Sequence, residues 1–375
     1  MRGWLWFHTT LAMSTDLKYS ASPVFPQAQH FVGKEHCQTT FSAVHDPVVR
    51  VQPGELVHVE TNDCFHGRIH PNLQQDPAFV LESIGRDERN PITGPIYVEG
   101  AQPGDVLAVK LLDIRPRGVG VACCGPHAGQ LSHWMPRTCT KFFDLSEDGR
   151  IVTMRDDDSA PSNRRIAPIS FPASPMLGVI GVAPAGNKAI STIPAGKHGG
   201  NLDNKCNGIG STIYIPVNHA GGLLSIGDMH ASQGDGEISG NGVEIGGDVL
   251  LSCSVIKRDD LLPHGAVLSH AGESNVPLTV EYPVTETSTE WITYGVLVEN
   301  IPQTTIVACE EAAKLLVGQW GFSPEEAFVF LSVKANLGVC QSCYPDQGTQ
   351  IAKMSVPKLD VCPRPFKVLT KTSLV

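Results

Sequence analysis

A short pattern that occurs twice in the first third of the chain constrains its fold more than any other feature. Residues 48–63, VVRVQPGELVHVETND, and residues 94–114, GPIYVEGAQPGDVLAVKLLDI, each place a Pro-Gly pair between two stretches of alternating apolar and polar residues. Alternation with a period of two is typical of half-buried strands, and Pro-Gly is a strong turn signal. Both stretches therefore predict antiparallel hairpins of a twisted sheet.

Strand signals continue in the second half, and helical signals are confined to the C-terminal region. Further strands are predicted at 210–217, 221–231 and 246–257. Residues 307–321 show helical spacing and end at Gly321, and residues 323–338 open with the capping-box pair Ser323 and Glu326. The predicted fold class is mainly β, with two β-sandwich or barrel-like units and a small α+β C-terminal region.

The length of the chain predicts more than one core. At 375 residues it exceeds the size at which a single core usually stops growing. The charged, breaker-rich stretch at 155–165 is the best candidate for a boundary. We predict four parts: an N-terminal extension, disordered or non-native, at 1–15; a β-rich domain at 16–160; a β-rich domain with the main polar motifs at 161–300; and an α+β region at 301–375.

The net charge and the cysteine content indicate which partners the protein can bind and in which compartment it is found. A formal net charge of −10 argues against binding to nucleic acid or anionic membranes, because their phosphates would be repelled. The chain has no run near the roughly eighteen apolar residues of a membrane-spanning helix. Eleven cysteines, an odd number and mostly scattered singly, are typical of reduced thiols, so we predict a cytoplasmic protein.

The segment GDMHASQGDGEISG, residues 227–240, concentrates acids and an imidazole among glycines. Asp228 and His230 would point to the same face of a strand, because side chains two apart share a face. The glycines that follow let the chain fold back and bring three more polar side chains to the strand end: Gln233, Asp235 and Glu237. An imidazole with several carboxylates is a ligand set suited to zinc or another divalent ion.

A second polar segment, GKHGGNLDNK at 196–205, places His198, Asn201 and Asp203 around a Gly-Gly pair. Backbone amides exposed at such glycines, Gly200 among them, could donate to a developing oxyanion. We expect this segment to meet the first one in space. Taken alone, the acidic turn is as often merely solvated, and a lone histidine is more often a satisfied core residue than a ligand.

A third polar stretch, ETNDCFHGRIHPN at 60–72, offers Asp63 at a strand end and the pair His66 and His70. Their spacing of four would align both imidazoles on a helix, but the intervening glycine and the following proline make a helix doubtful. The roles of these residues stay open. The chain lacks G-x-S-x-G, H-E-x-x-H, a P-loop and a convincing dinucleotide fingerprint, which argues against those sites.

Three of these motifs, HGGNLD, GSTIYIPV and GGLLSIGDMHASQGDGE, occur in the order and spacing of the acetamidase/formamidase family, which this chain resembles from about residue 16 onward. The resemblance implies a cytoplasmic hydrolase that releases ammonia from formamide, acetamide or another short aliphatic amide, with lactams as a further option. It also implies a β-rich fold, an associated metal ion and a homo-oligomer, either a dimer or a trimer.

Carried onto this sequence, the resemblance and the polar clustering suggest three groups of site residues. The metal ligands would be Asp203, Asp228 and His230, holding zinc or, as an alternative, calcium. The catalytic group would be Glu237, Asn201 and Asp235, with Glu237 moving the proton, Asn201 steadying the oxyanion and Asp235 orienting ligands. The substrate-binding group would be His198, Gly200 and Gln233, with Gln233 also orienting ligands.

Two alternatives come from other functional classes. One is a cupin-like metal-dependent oxygenase, although Asp228 stands where the first of its two histidines would be. The other is a non-catalytic metal-binding β-barrel or a β-rich binding module with solvated acidic turns. Oxygen consumption without ammonia release would favour the oxygenase, and the absence of stoichiometric metal would favour the plain binding module.

Overall fold

A computed structural model describes residues 24–155, 167–261, 267–270, 273–277, 281–297, 300–343 and 350–360. The predicted N-terminal extension at 1–15 lies outside these residues. Nearly all of the candidate boundary at 155–165 lies outside them as well.

The described residues form 23 strands, numbered here in chain order. Strands β1 to β9 are His30–Val32, Cys37–Gln38, Thr40–Phe41, Val49–Val51, Leu56–Thr61, Ile92–Val98, Val106–Cys124, Cys139–Leu145 and Ile151–Met154. Strands β10 to β17 are Ile169–Pro172, Met176–Gly181, Ile190–Ser191, Ala195–Gly196, Gly199–Asn201, Thr212–Pro216, Leu224–His230 and Glu244–Ile256. Strands β18 to β23 are Val267–His270, Glu273–Pro277, Val284–Glu286, Glu290–Leu297, Asn336–Gln341 and Gln350–Pro357.

Helices are few in the described chain. The α-helices α1 to α4 are Pro77–Ser83, Arg258–Leu261, Ile301–Trp320 and Pro324–Lys334, and the short 3-10 helices are Lys34–His36, Arg86–Glu88 and Ser132–Trp134. Among the residues described, none of these helices is both long and apolar enough to cross a membrane.

Nineteen of the strands hydrogen-bond into one sheet, which curls into a half-barrel. Its longest ladder joins β7 and β17, and β17 also pairs with β5 and β16. The apolar faces of these strands form one core of fully buried aliphatic side chains, including Val57, Leu107 and Leu251. The prediction of a mainly β fold with a small α+β C-terminal region is confirmed.

The two Pro-Gly turns do not close hairpins, so that part of the prediction was wrong. Around the first turn, β4 pairs in parallel with β6, whereas β5 pairs with β1 and β17. The turn glycines themselves donate to distant strands, Gly54 to the Cys253 carbonyl at 2.8 Å and Gly104 to the Val217 carbonyl at 2.9 Å. A Pro-Gly pair reverses the chain locally, but long-range register selects the partner strand.

Strands from both sides of the predicted boundary near residue 160 share the one sheet. Strands β5 and β7 precede the boundary and both pair with β17, which follows it. The division into four parts stays a prediction, and the structure adds that the two predicted β-rich parts are joined by continuous hydrogen bonding.

The C-terminal helices pack on β21 and β23, as their apolar spacing requires. Helix α3 ends at Gly321, whose φ of 73° lies in the left-handed region that favours glycine. Helix α4 begins with the predicted capping box between Ser323 and Glu326. It ends at Lys334, earlier than predicted, because residues from Asn336 onward pair with β23.

Helix α3 approaches β21 closely at Gly295. A methyl group on Gly295 would lie 1.9 Å from the Thr304 carbonyl oxygen and 2.7 Å from the Ala308 nitrogen, which are backbone atoms that cannot yield. We expect Gly295→Ala to lower the free energy of unfolding by about 3 kcal/mol, as overpacking does. Urea denaturation measures this. Gly234→Ala is the control, because that glycine faces open space; equal stability of both variants would contradict the packing argument.

Candidate active site

Strand β11 brings the two predicted polar segments together. It pairs on one edge with β14 and on the other with β16, so the residues that follow β14 lie beside the end of β16. Potential ligand atoms of Asp203, Asp228 and His230 all lie within 4.8 Å of one another, and all three residues are buried. The expected meeting of the segments near 200 and 230 is confirmed.

Two further acids complete the cluster, and one of them was not predicted. The ligand atoms of Glu237, Glu244 and His230 also lie within 4.8 Å of one another. Glu244 opens β17 directly opposite His230, and its Oε1 lies 3.0 Å from the His230 Nε2. We call these five residues the acid cluster: Asp203, Asp228, His230, Glu237 and Glu244.

The backbone of the acid cluster is strained. Asp203, Asp228 and Glu237 have φ angles of 42°, 53° and 44°, in the left-handed region. Asn90, which donates from Nδ2 to the Asp228 Oδ2 at 3.1 Å, has a φ of 54°. These four are among six non-glycine residues with positive φ in the described chain. Such strain costs about 1–3 kcal/mol per residue and concentrates at functional sites.

A glycine in β11 makes room for two of the carboxylates. A Cβ on Gly178 would lie 2.5 Å from the Asp203 Oδ1 and 2.7 Å from the Asp228 Oδ2. Any side chain here would push both carboxylates away. The strand therefore needs glycine at this position for the two acids to converge.

Burial and mutual repulsion perturb the protonation of the cluster. Burial, reinforced by the Asp228 carboxylate, raises the pKa of Asp203 to about 8. Burial also raises the pKa of Glu244 to about 7, and the pKa of Glu237 lies well above its ordinary value for the same reason. Burial alone would lower the pKa of His230, but Glu244 and Asp228 outweigh it and raise it. Four buried carboxylates beside one imidazole cannot all ionise without a further cation.

The unpaired atoms of the cluster fit a divalent metal ion. In the acid cluster, four buried atoms make no hydrogen bond to the described residues: Asp203 Oδ1, Asp228 Oδ1, Glu244 Oε2 and His230 Nε2. The His230 Nε2 has only the 3.0 Å ion-pair contact with the Glu244 Oε1. Buried polar atoms almost always form hydrogen bonds, so a group of unpaired atoms that lie close together indicates a missing ligand. Zinc takes both carboxylate oxygens and imidazole nitrogens, whereas calcium would take only the carboxylate oxygens.

Two glutamines form hydrogen bonds with residues of the acid cluster. The Gln233 Oε1 lies 2.7 Å from the His230 Nδ1, and its Nε2 donates to the Asp203 carbonyl at 2.7 Å. Gln341 Nε2 donates to the Asp203 Oδ2 and, at 3.2 Å, to the Glu237 Oε2. Gln233 thus ties the two segments together, and Gln341 brings the C-terminal strand β22 into the site.

The acid cluster opens into a cavity of about 270 Å³. Its lining includes Asn201, Asp203, Asp228, Glu237 and Glu244. The Asn201 Oδ1 is buried and has no hydrogen-bond partner among the described residues. A cavity with convergent polar groups and perturbed pKa values is where a reaction is expected.

Comparison with known proteins agrees with this geometry. The model of the acetamidase/formamidase family matches residues 34–187 and 185–343. The chain belongs to this family. It is therefore an amide hydrolase that acts on carbon–nitrogen bonds other than peptide bonds.

Relatives and solved structures give the extent of the similarity. An acetamidase from Mycolicibacterium smegmatis is 28% identical over 343 residues, covering 75% of this chain and 81% of that one. The crystal structure of an acetamidase from Bacillus halodurans has a TM-score of 0.71 and 33% identity, covering 87% of this chain and 97% of that one. A γ-lactamase from Delftia acidovorans, at 22% identity and a TM-score of 0.56, shares the fold.

Other predicted site residues of this amide hydrolase lie apart from the acid cluster. Asp235, predicted as catalytic, pairs instead with Lys353 at 2.6 Å and Lys205 at 2.9 Å. His198 packs its ring edge against Phe41, with 5.1 Å between centroids, and does not line the cavity. Gly200 pairs through its backbone with strands β11 and β13, also away from the cavity lining.

The stretch at 60–72 contributes to the cavity through residues other than its histidines. His66 and His70 do not line the cavity, whereas Cys64 and Phe65 do. The Asp63 Oδ1 accepts hydrogen bonds from the backbone nitrogens of Phe65 and Gly67, so this acid fixes the turn.

Three residues near the site were not predicted from the sequence, each for a different reason: Glu244, Gln341 and Asn90. Glu244 could have been found if the β16–β17 register had been known, since it stands opposite His230. Gln341 lies at the site because its backbone forms an isolated β-bridge with Gly236. No local sequence pattern predicts that contact. Asn90 belongs to a segment that looks like an ordinary polar loop.

Gly178 provides a test of the cluster geometry. We expect Gly178→Ala to lower kcat/KM for acetamide about a hundredfold, since displacing reactive groups by an ångström has effects of that size. Ammonia release measures the rate, and circular dichroism checks the fold. Gly85→Ala, where the added methyl meets only ordinary contacts, is the control. A Gly178→Ala enzyme with full activity would show that the two carboxylates need not converge.

His198 provides a pH test of stability. Burial lowers the pKa of His198 to about 4. Because the unfolded state takes up the proton first, His198 stabilises the fold above its ordinary pKa, and this contribution disappears as pH falls through about 4. Between pH 7 and pH 5 the wild type should lose about 2 kcal/mol more stability than His198→Gln. Urea denaturation at both pH values measures the difference; parallel losses would contradict a neutral buried imidazole.

Proposed function

We propose that the acid cluster hydrolyses short amides with water activated by a divalent metal ion. Asp203, Asp228 and His230 would hold the ion, and Glu244, whose ligand atom lies within 4.8 Å of those of His230 and Glu237, would lie beside it. When bound, the ion would lower the pKa of a water molecule and polarise the amide carbonyl. The observation that carries this proposal is the group of buried, facing, unpartnered donor atoms.

Glu237 is the residue we propose to move the proton. Glu237 lines the cavity beside the ligands, and burial raises the pKa of its carboxyl group well above the ordinary value. In its ionised form it accepts a proton from the attacking water. In its protonated form it delivers that proton to the amide nitrogen, which otherwise leaves very poorly. Gln341, hydrogen-bonded to Glu237 and Asp203, keeps these two carboxylates in a fixed relation.

Asn201 is the residue we propose to position the amide. It lies in the cavity wall with an unpartnered Oδ1, and its side-chain amide offers both donors and an acceptor. The donor group can steady the developing oxyanion, and the acceptor can orient the amide N–H of the substrate. We propose Gln233 as a positioning residue for the imidazole and for the Asp203 segment. Asp235, paired with two lysines, would act only by anchoring its loop.

The substrates we propose are linear amides such as formamide and acetamide, in line with the relatives named acetamidase and formamidase. Ring-opening of a lactam is a second candidate, favoured by a cavity larger than acetamide requires. We propose zinc as the ion, with calcium as the alternative. A cytoplasmic location and a homo-oligomer, dimer or trimer, stay predictions.

Replacing Glu237 tests the proton transfer. We expect Glu237→Gln to lower kcat by about a hundredfold to ten-thousandfold while the protein still binds metal, since the amide is isosteric but cannot carry the proton. Ammonia release and elemental analysis measure the two quantities. Glu147→Gln, an exposed glutamate, is the matched control. Near-normal turnover in Glu237→Gln would remove its assigned role.

Removing the metal tests the site itself. Because a bound cation offsets the repulsion among four buried carboxylates, we expect a chelator to abolish ammonia release and lower Tm by about 5 °C. Adding back zinc or calcium separately should restore both and identify the ion. A chelated enzyme with unchanged Tm and activity would contradict the metal. Oxygen consumption without ammonia release would instead favour an oxygenase.

A further inference from the structure

We propose that Arg89 binds a carboxylate group on the substrate, so that the preferred substrates are monoamides of short dicarboxylic acids. This inference rests on the proposed amide hydrolysis at the acid cluster and names the class of amide. The reacting amide would lie at the cluster, and the free carboxylate of the same molecule would lie at the guanidinium.

The size of the cavity calls for more than a minimal amide. Its volume of about 270 Å³ is close to the roughly 300 Å³ at which pockets begin to enclose drug-sized ligands. Formamide or acetamide would leave most of this space to water. Beyond the acid cluster the wall contains apolar side chains, Phe65, Leu81 and Ile193, which suit the methylene groups of a longer acyl chain.

Arg89 lines this cavity and is held near the cluster by its neighbour in the chain. The next residue, Asn90, donates to the Asp228 carboxylate at 3.1 Å. Consecutive Cα atoms are about 3.8 Å apart, so Arg89 starts within one side-chain length of the acids. One small substrate can therefore place its amide at the acid cluster and a second group, a few bonds away in the same molecule, at the guanidinium.

The guanidinium is fixed in place but incompletely paired. Its Nη2 donates to the carbonyl oxygens of Leu81 at 3.3 Å and Ile84 at 3.2 Å, at the end of α1. Among the residues that the structure describes, the buried Nε has no hydrogen-bond partner. A buried donor without a partner is rare in folded proteins and indicates a missing ligand.

The guanidinium matches a carboxylate better than other ligands. Guanidinium donors are arranged as a planar fork that fits the two oxygens of a carboxylate, and such charge-assisted bonds are stronger than neutral ones. Hydrogen bonds to the end of α1 account for Nη2, but they leave Nε without a partner. A neutral alkyl amide would leave the guanidinium without a partner. A site with a buried polar group discriminates strongly against a substrate that cannot pair with that group.

The experiment compares succinamate, the monoamide of succinic acid, with butyramide, a neutral amide of similar length. We expect the wild type to have at least a tenfold higher kcat/KM for succinamate, through a lower KM. Arg89→Gln should reduce that ratio to about one. Arg89→Lys, which keeps the charge and can still donate to the α1 carbonyls, should give an intermediate ratio. Arg68→Gln removes an exposed arginine paired with Glu88 and should keep the wild-type ratio.

The outcomes separate this inference from the proposed function. Equal losses for both amides in Arg89→Gln, or a wild type with no preference for succinamate, would overturn the inference while leaving amide hydrolysis intact. If neither amide releases ammonia, the proposed function fails, and succinate binding by calorimetry still tests Arg89. Succinate should bind the wild type at least tenfold more tightly than Arg89→Gln, and equal affinities would overturn the inference.

Discussion

The structure of this hydrolase is organised around the repulsion among buried carboxylates. Asp203, Asp228, Glu237 and Glu244 share one small volume with a single imidazole. Burial, reinforced by the neighbouring carboxylates, raises the pKa of Asp203, Glu237 and Glu244. Such a cluster requires a surrounding fold that holds it firmly. The strained backbone, the glycine of β11 and the two glutamines all serve that requirement.

The sheet supplies the rigidity in a way that a hairpin architecture would not. The acid cluster joins residues from β16, from the turn after β14, from the loop after β16 and from the start of β17, with Gln341 added from β22. Because β17 also pairs with β5 and β7, displacement of Glu244 would disturb strands throughout the half-barrel. Stability and chemistry therefore depend on the same ladder, and opening of the sheet would disassemble the site.

Local sequence predicted those features that depend on local spacing. The proximity of Asp228 and His230, the helix stop at Gly321 and the capping box of α4 each involve residues within a few positions. Features that depend on strand register were not predictable. Glu244 was missed because its partner His230 lies across a ladder, and the Pro-Gly turns were misread because their strands choose distant partners. The family motifs supplied the function, which spacing alone left open among several metal-binding classes.

The left-handed backbone at Asp203, Asp228 and Glu237 limits how such a site can diverge. Few side chains tolerate this conformation, and asparagine and aspartate are the main ones besides glycine, whereas β-branched residues are effectively barred. Substitutions that keep the loop shape would thus mostly trade a carboxylate for an amide or for hydrogen. A lineage that abandons hydrolysis would keep a pocket of similar outline but different charge. The left-handed main-chain conformation would remain even after the catalytic side chains had been replaced.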